Sequence, residues 1–182
     1  MIYPPSEDSY LLEAEVKKYL KNISDKSNFK VLDMGSGSGI QAKAAIQAGI
    51  LRKNIIAADI NKEAIKELKK QRLPARKSNL FSNINKEKRF NLIIFNAPYL
   101  PEDKYDKEAD TTAGKKGYEI ILKFLRKAKS HLAKNAVILL LFSSLSKPEK
   151  ILRYAKKRGY NSELLSEKSV GMMEKLFIWK FF

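Results

Sequence analysis

Hydrophobic positions along the chain switch between two periods. Apolar runs at "FKVLDM" (29–34), "NIIAADI" (54–60), "FNLIIF" (90–95) and "NAVILLLFS" (135–143) read as buried strands, because strands covered on both faces are continuously apolar. Between and around them stand helical patterns: "YLLEAEVKKYL", "IQAKAAIQAGI", "NKEAIKELKKQ", "YEIILKFLRKAKSHL" and "KPEKILRYAKKRG". Ser6 or Asp8 is placed to accept a backbone N–H at the first helix start, Asn61 caps the third, and the last opens near Pro148. "PARKS" is a short polar strand at most, and "SELLSEK" with "KLFIWKFF" has no helix between its two runs. The pattern predicts one α/β domain over residues 1–182: a doubly wound, mostly parallel, seven-stranded Rossmann-like sheet with an antiparallel C-terminal strand pair. The longest stretch without a period is residues 100–117, a length of loop that inside a domain is usually functional.

Composition narrows the chemistry. The chain has no Cys and a single His, His131, so thiolate metal sites, disulfides and most His-based zinc or acid/base designs are excluded. No metal site is expected. No apolar run reaches membrane-spanning length, and the acidic, proline-rich start is unlike a signal peptide, which points to a cytoplasmic protein with no membrane partner. A formal net charge of +16 allows attraction to nucleic acid, an acidic protein or a ribonucleoprotein without choosing among them. His131, near a helix end, reads as a solvent residue compatible with the helix dipole, and Met172-Met173 with "FIWKFF" as core and sheet packing.

"VLDMGSGSGIQ" places Gly35, Gly37 and Gly39 directly between a strand and a helix, where they permit a tight turn and a close ligand. The G-x-G-x-G spacing differs from the dinucleotide pattern, and Asp33 stands before it. A carboxylate there suits an ammonium group better than a pyrophosphate. The next long strand ends on Asp59, which can accept both hydroxyls of a ribose. Together they describe a site for a nucleoside carrying an amino acid.

These residues resemble the motifs of class I S-adenosylmethionine-dependent methyltransferases, and the resemblance covers nearly the whole chain. It implies that Asp33, Gly35, Gly37 and Asp59 bind S-adenosylmethionine, and that Asn79 and Leu80 lie beside its adenine, where the family usually has an aspartate. After the third long apolar run, "FNLIIF", comes Asn96-Ala97-Pro98-Tyr99. The lone pair of an amide or exocyclic amine is delocalised, so acceptors aligned with its two N–H bonds would orient the nitrogen toward a methyl donor. Asn96 Oδ1 and the Ala97 carbonyl can be those acceptors, and Tyr99 can stack on the planar group. The tetrapeptide resembles the N-P-P-Y signature of enzymes that methylate planar nitrogens. Alanine replaces the first proline but keeps the carbonyl, and Pro98 still biases Ala97 toward extended backbone. The resemblance implies catalytic roles for Asn96, Ala97, Pro98 and Tyr99, with Asn96 also touching the cofactor.

The flanks choose among substrates. "YPPSEDSYLL" resembles the opening of the archaeal and eukaryotic HemK-like protein-glutamine methyltransferases, which implies that Ser9 lies at the cofactor's methionine end; "DTTAGKKGYEII" resembles the segment that follows N-P-P-Y in that group. The substrate so implied is the glutamine of the Gly-Gly-Gln loop of a class 1 release factor. A small zinc-binding activator is a partner of such relatives, but "LPARKSN" is short and carries Arg76 and Lys77, so the activator is expected not to be needed for folding. The alternatives are an adenine-N6 methyltransferase on RNA or DNA, favoured by the net charge, and a non-catalytic scaffold that retains the fold.

Overall fold

In the computed structural model, described for residues 4–99, 117–171 and 173–182, seven strands form a single sheet. They are β1 (Val31–Met34), β2 (Ile55–Asp59), β3 (Ala75–Lys77), β4 (Phe90–Asn96), β5 (Leu132–Ser143), β6 (Ser162–Val170) and β7 (Glu174–Phe181). The helices are α1 (Glu7–Lys21), α2 (Ile40–Gln47), α3 (Lys62–Lys70), α4 (Glu119–Ala128) and α5 (Pro148–Lys157). Strand order is β3-β2-β1-β4-β5-β7-β6, parallel through β5 and antiparallel at β7 and β6. The predicted α/β architecture, strand number and antiparallel end are all present. Most of the loop predicted at 100–117 lies outside the described residues.

The apolar runs sort by strand period onto two faces. Leu92 and Ile94 of β4 and Leu139 and Leu141 of β5 pack with Leu12, Val16, Ala44, Ala45 and Leu68, so α1, α2 and α3 cover one face. Ile93, Phe95, Ile138 and Leu140 pack with Phe124, Leu125 and Ile151, so α4 and α5 cover the other. Each such fully buried aliphatic or aromatic side chain contributes roughly 1.5–3 kcal/mol. That two-sided burial is why these strands read as unbroken apolar runs.

Three local expectations are corrected. Ser6 occupies the N-cap position of α1 with no side-chain cap hydrogen bond, and Asp8 instead sits inside the first turn, its Oδ1 accepting the Ser9 N–H at 2.6 Å. His131 is buried, not solvated: the 3₁₀ turn after α4 carries it inward, its ring stacks on Phe81 at 4.7 Å, and Nδ1 lies 3.0 Å from the Lys88 carbonyl oxygen. Met173 is 92% exposed in the β6–β7 turn, because the hairpin needs residues there that neither strand can bury.

From β1 the chain winds outward through β2 and β3; from β4 it winds the other way. The reversal lies between β1 and β4, where Met34 pairs with Phe95. In an open parallel sheet, ligands bind outside the carboxyl ends of the strands at such a reversal. The glycine loop leaves β1 there, and Asn96 ends β4 there.

Candidate active site

A cavity of about 370 Å³ opens at this reversal. It is lined by Gly35, Ser36, Gly37 and Ser38 after β1, Asp59 after β2, Ser78, Asn79 and Leu80 after β3, Asn96 to Tyr99 after β4, and Asp8 and Ser9 from α1. Gly35 has φ +63°, and a Cβ there would lie 3.2 Å from the Phe95 ring. Glycine is therefore required by both the turn and the contact with β4. Gly39 (φ +80°) serves packing, since its Cβ would come within 2.6 Å of Leu73 and 2.8 Å of Leu68.

Two carboxylates hold the glycine loop. Asp59 Oδ2 accepts the Gly37 N–H at 2.8 Å and Oδ1 the Asn61 N–H at 2.8 Å. Each carboxylate oxygen has a second lone pair, so Asp59 can brace the loop and still accept from a ligand hydroxyl. Asp33 is 1% exposed and is not part of the lining; its Oδ2 accepts the Ser36 hydroxyl and the Ala42 N–H at 3.1 Å, tying the loop to α2. Burial pushes the Asp33 carboxyl up to about 7, against the lowering effect of those two hydrogen bonds and helped by the nearby Asp59 charge.

The β4 end is held by three elements. The Ala97 N–H donates to the Leu141 carbonyl of β5 at 3.3 Å, and the Tyr99 carbonyl accepts the Ser146 hydroxyl at 3.0 Å. Asn96 Nδ2 donates to Asp8 Oδ2 at 2.9 Å, and the Tyr99 hydroxyl is 3.4 Å from the same oxygen. Asn96 Oδ1 is shielded from solvent and has no hydrogen-bond partner among the described residues. Such an unmatched acceptor costs on the order of 1–3 kcal/mol unless a ligand N–H meets it.

The family model of the methyltransferase small domain matches residues 16–158. The chain belongs to that methyltransferase family. A protein of Methanocaldococcus jannaschii, named as a candidate protein N5-glutamine methyltransferase, is 32% identical over 97% of this chain and 90% of its own. The release factor glutamine methyltransferase of Leptospira interrogans is 33% identical over 56% of this chain and 37% of its own length. The E. cuniculi Mtq2-Trm112 complex, responsible for methylation of the eRF1 translation termination factor, provides a similar fold: TM-score 0.77 over 99% of this chain and 97% of that one, at 23% identity.

In this methyltransferase the cavity gathers Ser9, Gly35, Gly37, Asp59, Asn79, Leu80, Asn96, Ala97, Pro98 and Tyr99, all read from the sequence as site residues. Asp33, also so read, stands behind the loop instead of in the cavity wall. Leu80 takes φ +50°, and its carbonyl accepts the Ser78 hydroxyl, so the turn after β3 presents Asn79 and Leu80 together. Asp8 and Gln41 are among the cavity residues that were missed. Asp8 was legible only as a cap, and Gln41, in the first turn of α2, gave no signal. Gln41 is 3% exposed; its Nε2 donates to the Ser9 carbonyl at 2.9 Å, and its Oε1 has no partner among the described residues.

Proposed function

We propose that this methyltransferase transfers a methyl group from S-adenosylmethionine to the side-chain amide nitrogen, N5, of the glutamine in the Gly-Gly-Gln loop of a class 1 release factor, in the cytoplasm. The observation that carries this reading is Asn96 Oδ1: a shielded amide acceptor at the end of β4 with no partner among the described residues, with Tyr99 lining the same cavity and the glycine loop against its strand. Such an acceptor lacks a donor, and the N–H of a planar amide would supply one. Resemblance to relatives named for glutamine methylation, over nearly the full chain for the M. jannaschii protein, favours glutamine over adenine.

The residues present fit S-adenosylmethionine. Gly35 and Gly37, both at positive φ, leave a wall with no side chain between loop and ligand. Asp59 would hold the ribose hydroxyls, Asn79 and Leu80 the adenine, and Ser9 with Gln41 Oε1 the amino-acid end, where Oε1 is an acceptor with no partner among the described residues. The bound cofactor supplies an electrophilic methyl group. Asn96 Oδ1 and the Ala97 carbonyl accept the two N–H bonds of the target amide and hold its nitrogen in one orientation. Pro98 restricts Ala97, and Tyr99 covers the planar face and excludes water. Because Asn96 Nδ2 and the Tyr99 carbonyl are already bonded to Asp8 and Ser146, these groups are set before substrate arrives.

The direct test is transfer of labelled methyl from the cofactor to a purified release factor, with a Gln-to-Asn change in its loop as control. Label in the native factor and none in the control supports the reading. Label in nucleic acid instead would select the adenine alternative, and absence of cofactor binding by calorimetry the scaffold. Asp59→Ala should weaken cofactor binding by about 1.5–3 kcal/mol, the range for hydrogen bonds to a charged group. An unchanged dissociation constant would remove Asp59 from the cofactor site.

The E. cuniculi methyltransferase is complexed with Trm112, and a small zinc-binding activator of this chain would join at the free edge of β3. That edge is three residues long and exposes Arg76 and Lys77, so little apolar surface waits to be covered. The chain expressed alone should be soluble and should melt cooperatively. Aggregation alone, relieved by co-expression of an activator, would show the edge to be an obligatory interface.

A further inference from the structure

Asp8 and Asn96 are 88 positions apart in the chain and meet at the cavity floor, with Asn96 Nδ2 2.9 Å from Asp8 Oδ2. An ionised carboxylate only accepts. The Asn96 amide must therefore give Asp8 its NH₂, and its oxygen is what remains to offer a ligand. Asp8 is itself fixed: it is 4% exposed, and its Oδ1 accepts the Ser9 N–H at 2.6 Å and the Ser9 hydroxyl at 3.2 Å. Ser9 is held in turn by Gln41 from α2 at 2.9 Å. We propose that Asp8 is a positioning residue that selects which end of the Asn96 amide is left to accept the target N–H. The proposal rests on reading Asn96 as the orienting acceptor.

The consequence is that an isosteric change at Asp8 should be as harmful as truncation. In Asp8→Asn the single side-chain oxygen is claimed by the Ser9 N–H one residue away. The substituted NH₂ then faces Asn96, which must turn its oxygen toward it and leave its own NH₂ as the free group. Two N–H donors would then confront each other in the site. A merely structural role predicts the reverse, with the amide rescuing what alanine loses.

The experiment compares Asp8→Asn, Asp8→Ala, Asn96→Ala and the Asp8→Asn/Asn96→Ala double variant. Expected for Asp8→Asn is a fall in kcat of about 10- to 100-fold, within the effect of one preorganised contact, with the Michaelis constants little changed. In the Asn96→Ala background the same change should add almost nothing, as for residues acting as one unit. Normal kcat in Asp8→Asn, or losses that simply multiply in the double variant, would overturn the proposal. Independently of activity, the Asn96 side-chain NH₂ signals in a ¹⁵N-labelled sample, assigned by their loss in Asn96→Ala, should move and exchange faster with water in Asp8→Ala; signals that stay in place would also overturn it. Transfer by wild type to adenine instead of glutamine would defeat the substrate reading alone, since the same cycle can be run on that acceptor.

Discussion

Asn96→Ala should retain the fold and most of its cofactor affinity, yet lose about 10²- to 10³-fold in turnover on a release factor, the range seen when one preorganised electrostatic contact is removed. The fold survives because Asn96 is the last residue of β4, and the strand ahead of it is pinned by its ladders to β1 and β5 and by the Ala97 N–H to Leu141. The variant also deletes a shielded acceptor with no partner among the described residues, so a small gain in melting temperature is compatible with the loss of activity. It leaves Asp8 Oδ2 with the weaker Tyr99 contact at 3.4 Å. Single-turnover kinetics at saturating cofactor check the result. Turnover near wild type would mean that "FNAPY" is only a turn, and the catalytic assignment would be abandoned. Ala97→Pro, by contrast, changes no acceptor and should leave turnover near wild type, but it removes the N–H that Ala97 donates to Leu141, so its melting temperature should fall.

What the sequence could reveal was whatever is written locally. The strands of the sheet centre are continuous apolar runs because both faces are covered, and the glycine loop announces itself because Gly35 and Gly39 need positive φ in tight quarters. Asn96 was readable because a buried strand has no ordinary reason to end on an amide, a carbonyl, a proline and a ring. Contacts that only the fold creates were not readable. Asp8 looked like a cap because its partner Asn96 is 88 positions away, and Gln41 looked like one more polar position of a helix until α2 was laid against Ser9. His131 misled for the same reason: a lone His at a helix end says nothing of a Phe81 ring waiting beneath it. Asp33 misled differently, since an acid before a glycine loop can serve the ligand or the loop, and hydrogen bonds to Ser36 and Ala42 show it serving the loop.

Its burial there makes Asp33 a source of pH-dependent stability near neutrality. Its carboxyl ionises at about 7 in the folded protein, against an ordinary value of 3.8, chiefly because burial disfavours the charge and Asp59 adds repulsion. An acid whose folded value is raised binds more protons folded than unfolded between those limits, so stability must fall as pH rises from about 4 to about 7 and then level off. At about 1.36 kcal/mol per unit, a rise of about three units amounts to a loss on the order of 4 kcal/mol across the window. Asp33→Asn keeps an oxygen for Ser36 and Ala42 and removes the titration. Below pH 5 the variant should therefore melt close to wild type or slightly below it. By pH 8 it should melt several degrees higher, because a domain of this size shifts by roughly 2–4 °C for each kcal/mol. The comparison is made without cofactor, by calorimetry of both proteins in matched buffers, so that every other titrating group cancels in the difference. A difference in melting temperature that stays constant from pH 5 to pH 8 would mean that Asp33 is already ionised in the folded protein at pH 5, with the glycine loop holding its charge.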